Sequence, residues 1–388
     1  MPTVVGAWSW GRYRLTGRAR TLVPLLLIVA VGAALRLAVN NERQFAPQDE
    51  TMYLNYTRIL AERGLEGYPA VVRLWVDGGP GNWGLPPPLR WGYLTVTAAF
   101  CAVAGECDYG HLAWVSTLAS ILIVAATYLV ARTFLGERAG LLAAAMSVTS
   151  PVILGLGRRA LQDEFFALMV LLSLWAFAWA LLTSDARRDF RRYALAAAIL
   201  TWTFGTKEAF LAFYPAFVVL LVERWRARGP RLADAMLLAF PPVLFVVVFA
   251  LLAHGIASFF DVGSIIGNQQ VVSSDYARQY EAGPPHVLLL SFLVLAPIVT
   301  VLAVSWIGRV ATARVDRGEY VLAVVILAVL GMFAFLPKDV RYVAGIDPLL
   351  RTLTVPMLLS LSSIAGRFAV PALGAFLVAN ALVELAIF

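Results

Sequence analysis

Cysteine and histidine are nearly missing from this chain of 388 residues, which holds two of the first and three of the second. The histidines, His111, His254 and His286, fit no zinc spacing such as H-E-x-x-H. No Walker loop, Rossmann fingerprint or G-x-S-x-G elbow stands in a plausible context. Repeats, heptads and low-complexity tracts are absent as well. Charge is scarce, at 14% of residues, where soluble domains carry about 25%. Long polar loops are equally rare: only 40–110 and 255–285 are sizeable. That leaves no room for a soluble nucleotide-binding domain, so no nucleotide cofactor is expected. An activated substrate, if there is one, has to arrive through the membrane.

What the chain has instead is hydrophobicity, at 60% of residues. Apolar runs long enough to cross a bilayer, about 17–25 residues, occur at 21–39, 111–131, 139–156, 164–183, 193–204, 208–223, 233–254, 286–307, 319–336, 348–364 and 368–387. The expectation is an all-α polytopic membrane protein of about 11 crossings, a single transmembrane domain over 1–388 with no soluble C-terminal domain. Arg12, Arg14, Arg18 and Arg20 precede the first run, which continues to Val39 without a small-residue cleavage site. It therefore reads as a retained helix with a cytoplasmic N-terminus.

A further apolar segment, 89–104, decides the topology. If it crosses, the later basic loops change side; if it does not, all of them face the cytoplasm together. These are Arg132/Arg138, Arg187 to Arg192, Arg224 to Arg231 and Arg309 to Arg317. The second choice puts 18 of the 31 basic residues but only 7 of the 24 acidic ones inside, so 89–104 is taken as re-entrant or surface-lying. The net charge of +7 is then an orientation signal and not a nucleic-acid footprint. Cys101 and Cys107 fall on the outer side, where an oxidising exterior permits a bridge; two ordinary thiols in an apolar context are the plainer reading.

The acidic residues of the outer side are the candidates for chemistry. Asp49-Glu50 follows the first span, at the start of an amphipathic stretch to Arg63 in which Tyr53, Leu54, Tyr56, Ile59 and Leu60 share a face; this reads as a helix lying on the membrane surface. Helix capping alone would explain Asp49. A second pair, Asp163-Glu164, in another short outer connection shifts the balance. Two carboxylate pairs at one membrane face suit general-base work or a divalent cation, with Asp49 and Asp163 the metal candidates. Lys207, beside Glu208, either snorkels or neutralises a phosphate. Lys338, Arg341 and Tyr342 form a third outer group able to bind phosphate. Trp83 and Arg90 flank the rigid Pro86-Pro87-Pro88 stretch, as interfacial anchors or as substrate contacts. The polar 255–285 loop is either a lid over substrate or a connector.

In order along the chain, these motifs resemble the GT-C glycosyltransferases, in the branch of protein O-mannosyltransferases and lipid A aminoarabinose transferases. The resemblance is carried by Asp49-Glu50, Pro87-Pro88-Leu89, Arg158/Arg159 to Asp163, Thr206-Lys207, and Arg341-Tyr342 through Pro348. Gly345 departs from the pattern by replacing a proline. The resemblance implies a GT-C bundle with surface-lying helices in the first extracytoplasmic loop and a sugar donor linked to a polyprenyl phosphate. It further implies inverting transfer to an extracytoplasmic acceptor hydroxyl on protein, lipid or glycan. Asp49 would be the base, assisted by Glu50. Asp163 and Glu164 would position substrate, Arg341, Tyr342, Lys207 and Lys338 would bind the donor phosphate, and Arg90, Arg158, Arg159 and Trp83 would contact substrate. Arginine and alanine usage points to a bacterial inner membrane. A secondary transporter would need inverted repeats, which are not visible. A polysaccharide ligase would carry a large, basic late outer loop, whereas 255–285 holds a single arginine, Arg278.

Overall fold

A computed structural model describes residues 18–39, 47–182, 189–271, 283–336 and 339–388, and among these there are helices and no strands. In order, the helices are α1 (Arg18–Val39), α2 (Pro47–Arg63), α3 (Tyr68–Val76), α4 (Pro80–Trp83), α5 (Trp91–Ala104) and α6 (Tyr109–Leu135). They continue with α7 (Glu137–Ser147), α8 (Pro151–Leu156), α9 (Asp163–Leu182), α10 (Asp189–Phe204), α11 (Tyr214–Arg228) and α12 (Leu232–Leu252). The last are α13 (Ala257–Val271), α14 (Val287–Leu295), α15 (Pro297–Thr312), α16 (Arg317–Phe333), α17 (Asp347–Ile364) and α18 (Ala369–Ile387).

Five segments among the described residues are long and apolar enough to cross a bilayer by themselves: 21–39, 109–135, 163–182, 232–252 and 366–387. The other expected spans are also helical, three of them interrupted. Pro151 ends α7, because its missing N–H and its clash with a helical residue 150 forbid continuation; the Ser150 hydroxyl then caps α8 by accepting from Ile153 N at 3.2 Å. Pro297 separates α14 from α15 in the same manner, and a 3-10 segment, Glu208–Phe213, precedes α11. Helix α5 has 14 residues, about 21 Å of length, short of the ~30 Å hydrocarbon core.

The core lies around α6 and α9, with α1, α7, α10 and α17 against them, α11 on α16 and α15 on α17. Helix α9 is apolar almost all round and buries Phe166, Leu171, Phe177 and Leu181, as a helix surrounded by others must. Residues 47–104 are largely helical, as expected. However, the apolar face of α2 is turned inward onto protein: Tyr53, Leu54, Tyr56 and Leu60 are buried, and Thr57 and Thr97 join α2 to α5 at 3.0 Å. The 255–285 segment departs from the expected loop, because its first half is helix α13; residues 272–282 lie outside the described set. A disulfide joins Cys101 and Cys107, their Cα atoms 4.9 Å apart.

One contact fixes where the α10–α11 turn sits. Gly92 N donates to Gly205 O at 2.5 Å, and the Trp91 ring lies over Gly205, so that a Cβ there would stand 2.3 Å from ring carbon. Only glycine permits this approach, which fixes the backbone leading to Thr206 and Lys207. Gly205→Ala is expected to destabilise the protein by about 1–3 kcal/mol through overpacking, read as a lowered thermal midpoint in detergent. Gly81→Ala, which meets open space, should leave the midpoint unchanged.

Candidate active site

Helix direction brings the motifs to one end of the bundle. Helix α9 runs away from Asp163, α10 returns to Phe204, α11 leaves again after Lys207, and the 3-10 segment Val340–Ile346 leads into α17. Between these ends and the helices that follow α1 lies a cavity of about 190 Å³. Its wall includes Asp49, Pro87, Asp163, Lys207, Arg341 and Tyr342, so each of the five sequence motifs contributes to it. Arg90 and Trp83 line it too.

Lys207 is the most constrained of these side chains. It is 2% exposed, its Nζ donates to Asp163 Oδ1 at 2.5 Å, and the same ammonium stands 4.4 Å from the centroid of the Tyr342 ring. An ion pair this dry persists only with good geometry, and here the aromatic face adds a third partner. The ammonium therefore does not snorkel beside Glu208. Glu208 is taken by Arg90, whose Nε donates at 3.0 Å and Nη2 at 2.5 Å, a bidentate pair. Arg90 Nη1 also donates to the Tyr53 hydroxyl. Burial works against charge on Arg90, but Glu208 and Tyr53 outweigh it and raise its pKa.

Arg341 bridges two carboxylates. Its Nε donates to Asp339 Oδ2 at 2.8 Å, and Nη1 reaches Asp49 Oδ2 at a looser 3.5 Å. Burial opposes the charge, yet Asp163 and Asp339 outweigh that burial and keep the guanidinium ionised, with its pKa raised. The Asp49 side chain is 35% exposed and that of Arg341 25%, so this pair is the accessible part of the wall. Asp163 and Lys207 form the dry part.

Several predicted residues lie elsewhere. Glu50 is fully buried and accepts from Arg159 Nε at 2.8 Å. The Arg158 guanidinium stacks 5.5 Å from the centroid of the Phe388 ring. Glu164, fully buried, faces a second polar cluster beneath the cavity. There Arg351, also fully buried, holds Asp347 at 2.8 Å, Glu384 at 2.8 Å and the Met146 carbonyl at 2.6 Å. Ser150 donates to Asp347 and Thr149 to Glu384, while Arg36 donates to the carbonyls of Ser147 and Val148 at 3.2 and 3.0 Å. Lys338 lies outside the described residues.

Residues the motifs did not indicate also line the cavity: Tyr53, Trp75, Gln162, Glu208 and Ile266. Gln162 and Glu208 adjoin motif residues, which was the available signal; Ile266 of α13 had none. No group of three or more His, Cys, Asp or Glu gathers among the described residues. Asp163 and Asp49 already face an ammonium and a guanidinium, so a divalent cation would have to displace both. The donor set does not fit one.

The architecture is that of the GT-C membrane glycosyltransferases. Residues 87–253 match the family described as dolichyl-phosphate-mannose-protein mannosyltransferase, a stretch holding three of the five motifs. Among solved structures, ArnT from Cupriavidus metallidurans in the apo state aligns with a TM-score of 0.60 and 17% identity, covering 88% of this chain and 60% of that one. The same protein bound to undecaprenyl phosphate aligns at 0.55 and 14%, covering 96% and 72%. AglB, an oligosaccharyltransferase from Archaeoglobus fulgidus in complex with an inhibitory peptide and a dolichol-phosphate, aligns at 0.57 and 11%, covering 96% and 55%. The chain thus spans about 60% of the length of apo ArnT. No curated protein sequence matches it.

Removing one partner of the Lys207–Asp163 pair strands a buried charge. Lys207→Ala is expected to cost about 3–5 kcal/mol, seen as a fall in thermal midpoint. Combining Lys207→Met with Asp163→Leu should cost less than the two single changes added together, as a double-mutant cycle would measure.

Proposed function

We propose that this chain is an inverting membrane glycosyltransferase that moves a sugar from a polyprenyl-phosphate-linked donor to an acceptor hydroxyl on the extracytoplasmic side. The observation that carries the reading is the convergence of all five motifs on one cavity, which joins the half-open Asp49–Arg341 pair to the dry Lys207–Asp163 pair. The basic residues at the opposite end of the bundle support a cytoplasmic placement for that end. The cavity would then open outward from a bacterial inner membrane.

In this mechanism the donor phosphate takes the loose position of Asp49 on Arg341, exchanging a 3.5 Å contact for a charge-assisted one. Asp49, freed from Arg341, receives the proton of the acceptor hydroxyl as that oxygen attacks the anomeric carbon. The bond from that carbon to the phosphate oxygen breaks on the opposite face, so configuration inverts, and the polyprenyl phosphate leaves with its charge held by Arg341. Lys207 serves from within: it fixes Asp163 and the Tyr342 ring, and adds positive potential to the wall. Glu50, locked to Arg159, anchors the first turn of α2 and with it Asp49. Lys338 belongs to the same basic group by sequence.

Native mass spectrometry of purified protein with added polyprenyl phosphate is the direct test. Wild type should retain the lipid and Arg341→Ala should release it; no retention by folded wild type would remove the donor class. With a polyprenyl-phosphate sugar as substrate, Asp49→Asn should lower turnover by about 10²–10⁴ while the lipid stays bound. Undiminished turnover would exclude Asp49 as the base.

A further inference from the structure

A second cavity, of about 490 Å³, opens at the far end of the bundle from the first, where α11 ends and α16 begins. Its size lies within the ~300–1,000 Å³ of ordinary ligand clefts. Glu223 and Arg226 come from α11, Val310 from α15, and Arg314, Arg317 and Tyr320 from the α15–α16 connection and the first turn of α16. Three guanidiniums thus face one carboxylate. Asp316 in the connection and Glu319 in the first turn of α16 do not line the cavity.

The carboxylate is not a simple neutraliser. The Glu223 side chain is 8% exposed and accepts from Arg317 Nη2 at 2.7 Å and Nε at 3.1 Å, and from Arg226 Nη1 at 3.3 Å. One buried anion therefore holds two cations from different helices, restricting their rotamers before any ligand arrives, while Arg314 stands exposed beside them. An orientation signal needs basic residues in a loop; it needs neither a cavity nor a buried carboxylate to organise them. Toward the middle of the bundle the same three helices expose apolar side chains: Val218 on α11, Val304 on α15 and Leu327 on α16 are 43%, 45% and 47% exposed. Each of the three helices thus carries basic side chains near its end and exposed apolar side chains toward its middle.

We propose that this cavity binds the headgroup of an anionic glycerophospholipid from the adjacent leaflet. Guanidinium groups of Arg226, Arg314 and Arg317 take the phosphate oxygens, Tyr320 donates at the polar boundary, and the acyl chains lie along Val218, Val304 and Leu327. The apolar flank selects a lipid over free phosphate, since a soluble anion gains nothing from it. The net positive lining selects an anionic headgroup over a zwitterionic one. None of the residues of the first cavity takes part, so this site stands or fails independently of the glycosyltransferase assignment.

Delipidated full-length protein in detergent micelles, titrated with phosphatidylglycerol and read by native mass spectrometry, tests the assignment. Arg226→Ala with Arg314→Ala removes two exposed side chains while leaving Glu223 paired with Arg317, and should weaken phosphatidylglycerol retention roughly tenfold or more. Arg63→Ala with Arg73→Ala, an exposed pair on the first outer loop, should change nothing. Phosphatidylcholine should be retained far less than phosphatidylglycerol by wild type. Equal retention of the two lipids, or equal retention by the Arg226/Arg314 variant and wild type, overturns the proposal. Displacement of the lipid by millimolar inorganic phosphate as readily as by glycerophospholipid would assign a free-anion site and overturn the lipid commitment.

Discussion

A lysine ammonium with almost no access to water must be met by protein on every side, and Lys207 ties together three parts of the chain. Asp163 comes from the start of α9, Tyr342 from the segment before α17, and the lysine itself from the turn after α10. Losing any one of these neighbours would leave charge in a low-dielectric place, at several kcal/mol. The three segments are consequently held in one arrangement, and the cavity wall they form is set before any ligand arrives. The glycine contact behind the turn, Gly92 against Gly205, supplies the backbone position this arrangement needs. The Lys207–Asp163 half of the wall is dry, while the Asp49–Arg341 half is accessible and more loosely paired.

Below that wall a second set of charges does a different job. Arg351 gathers Asp347, Glu384 and a backbone carbonyl, linking α17 and α18 to the gap between α7 and α8. The segment carrying Arg341 and Tyr342 ends at Asp347, so this cluster anchors it from beneath. Backbone groups exposed by a broken helix in an apolar setting need partners, and Ser150, Arg36 and Arg351 provide them. The two clusters are separate, yet both hold the same short 3-10 segment at its two ends.

The sequence made the fold legible through long apolar runs, and the parity of the basic loops singled out 89–104, which forms a 14-residue helix. The motif residues that meet in the cavity were also legible. Less visible was which member of each acidic pair faces it. Successive side chains on a helix point about 100° apart, so Asp49 and Asp163 turn to the cavity while Glu50 and Glu164 turn into the protein. Treating each pair as one unit hid this. Partners distant in sequence were out of reach: Arg341 meets Asp49 across 292 positions, and Ile266 enters from a helix whose polar sequence reads as loop. The i,i+4 pair Asp347–Arg351 was written plainly, but nothing local marks it as buried.

The interrupted helix between α7 and α8 also bears on how the chain is made. Arg36 sits in the last turn of α1 and is 3% exposed, and two of its carbonyl partners lie 111 and 112 residues downstream. Synthesis at about 5–20 residues per second puts on the order of ten seconds between the emergence of the arginine and that of its acceptors. During that interval the side chain has to reach back to the headgroup region or stay beside the insertion machinery. The first helix therefore enters the bilayer as a provisional guest, and takes its final seat only when the α7–α8 break is delivered to it.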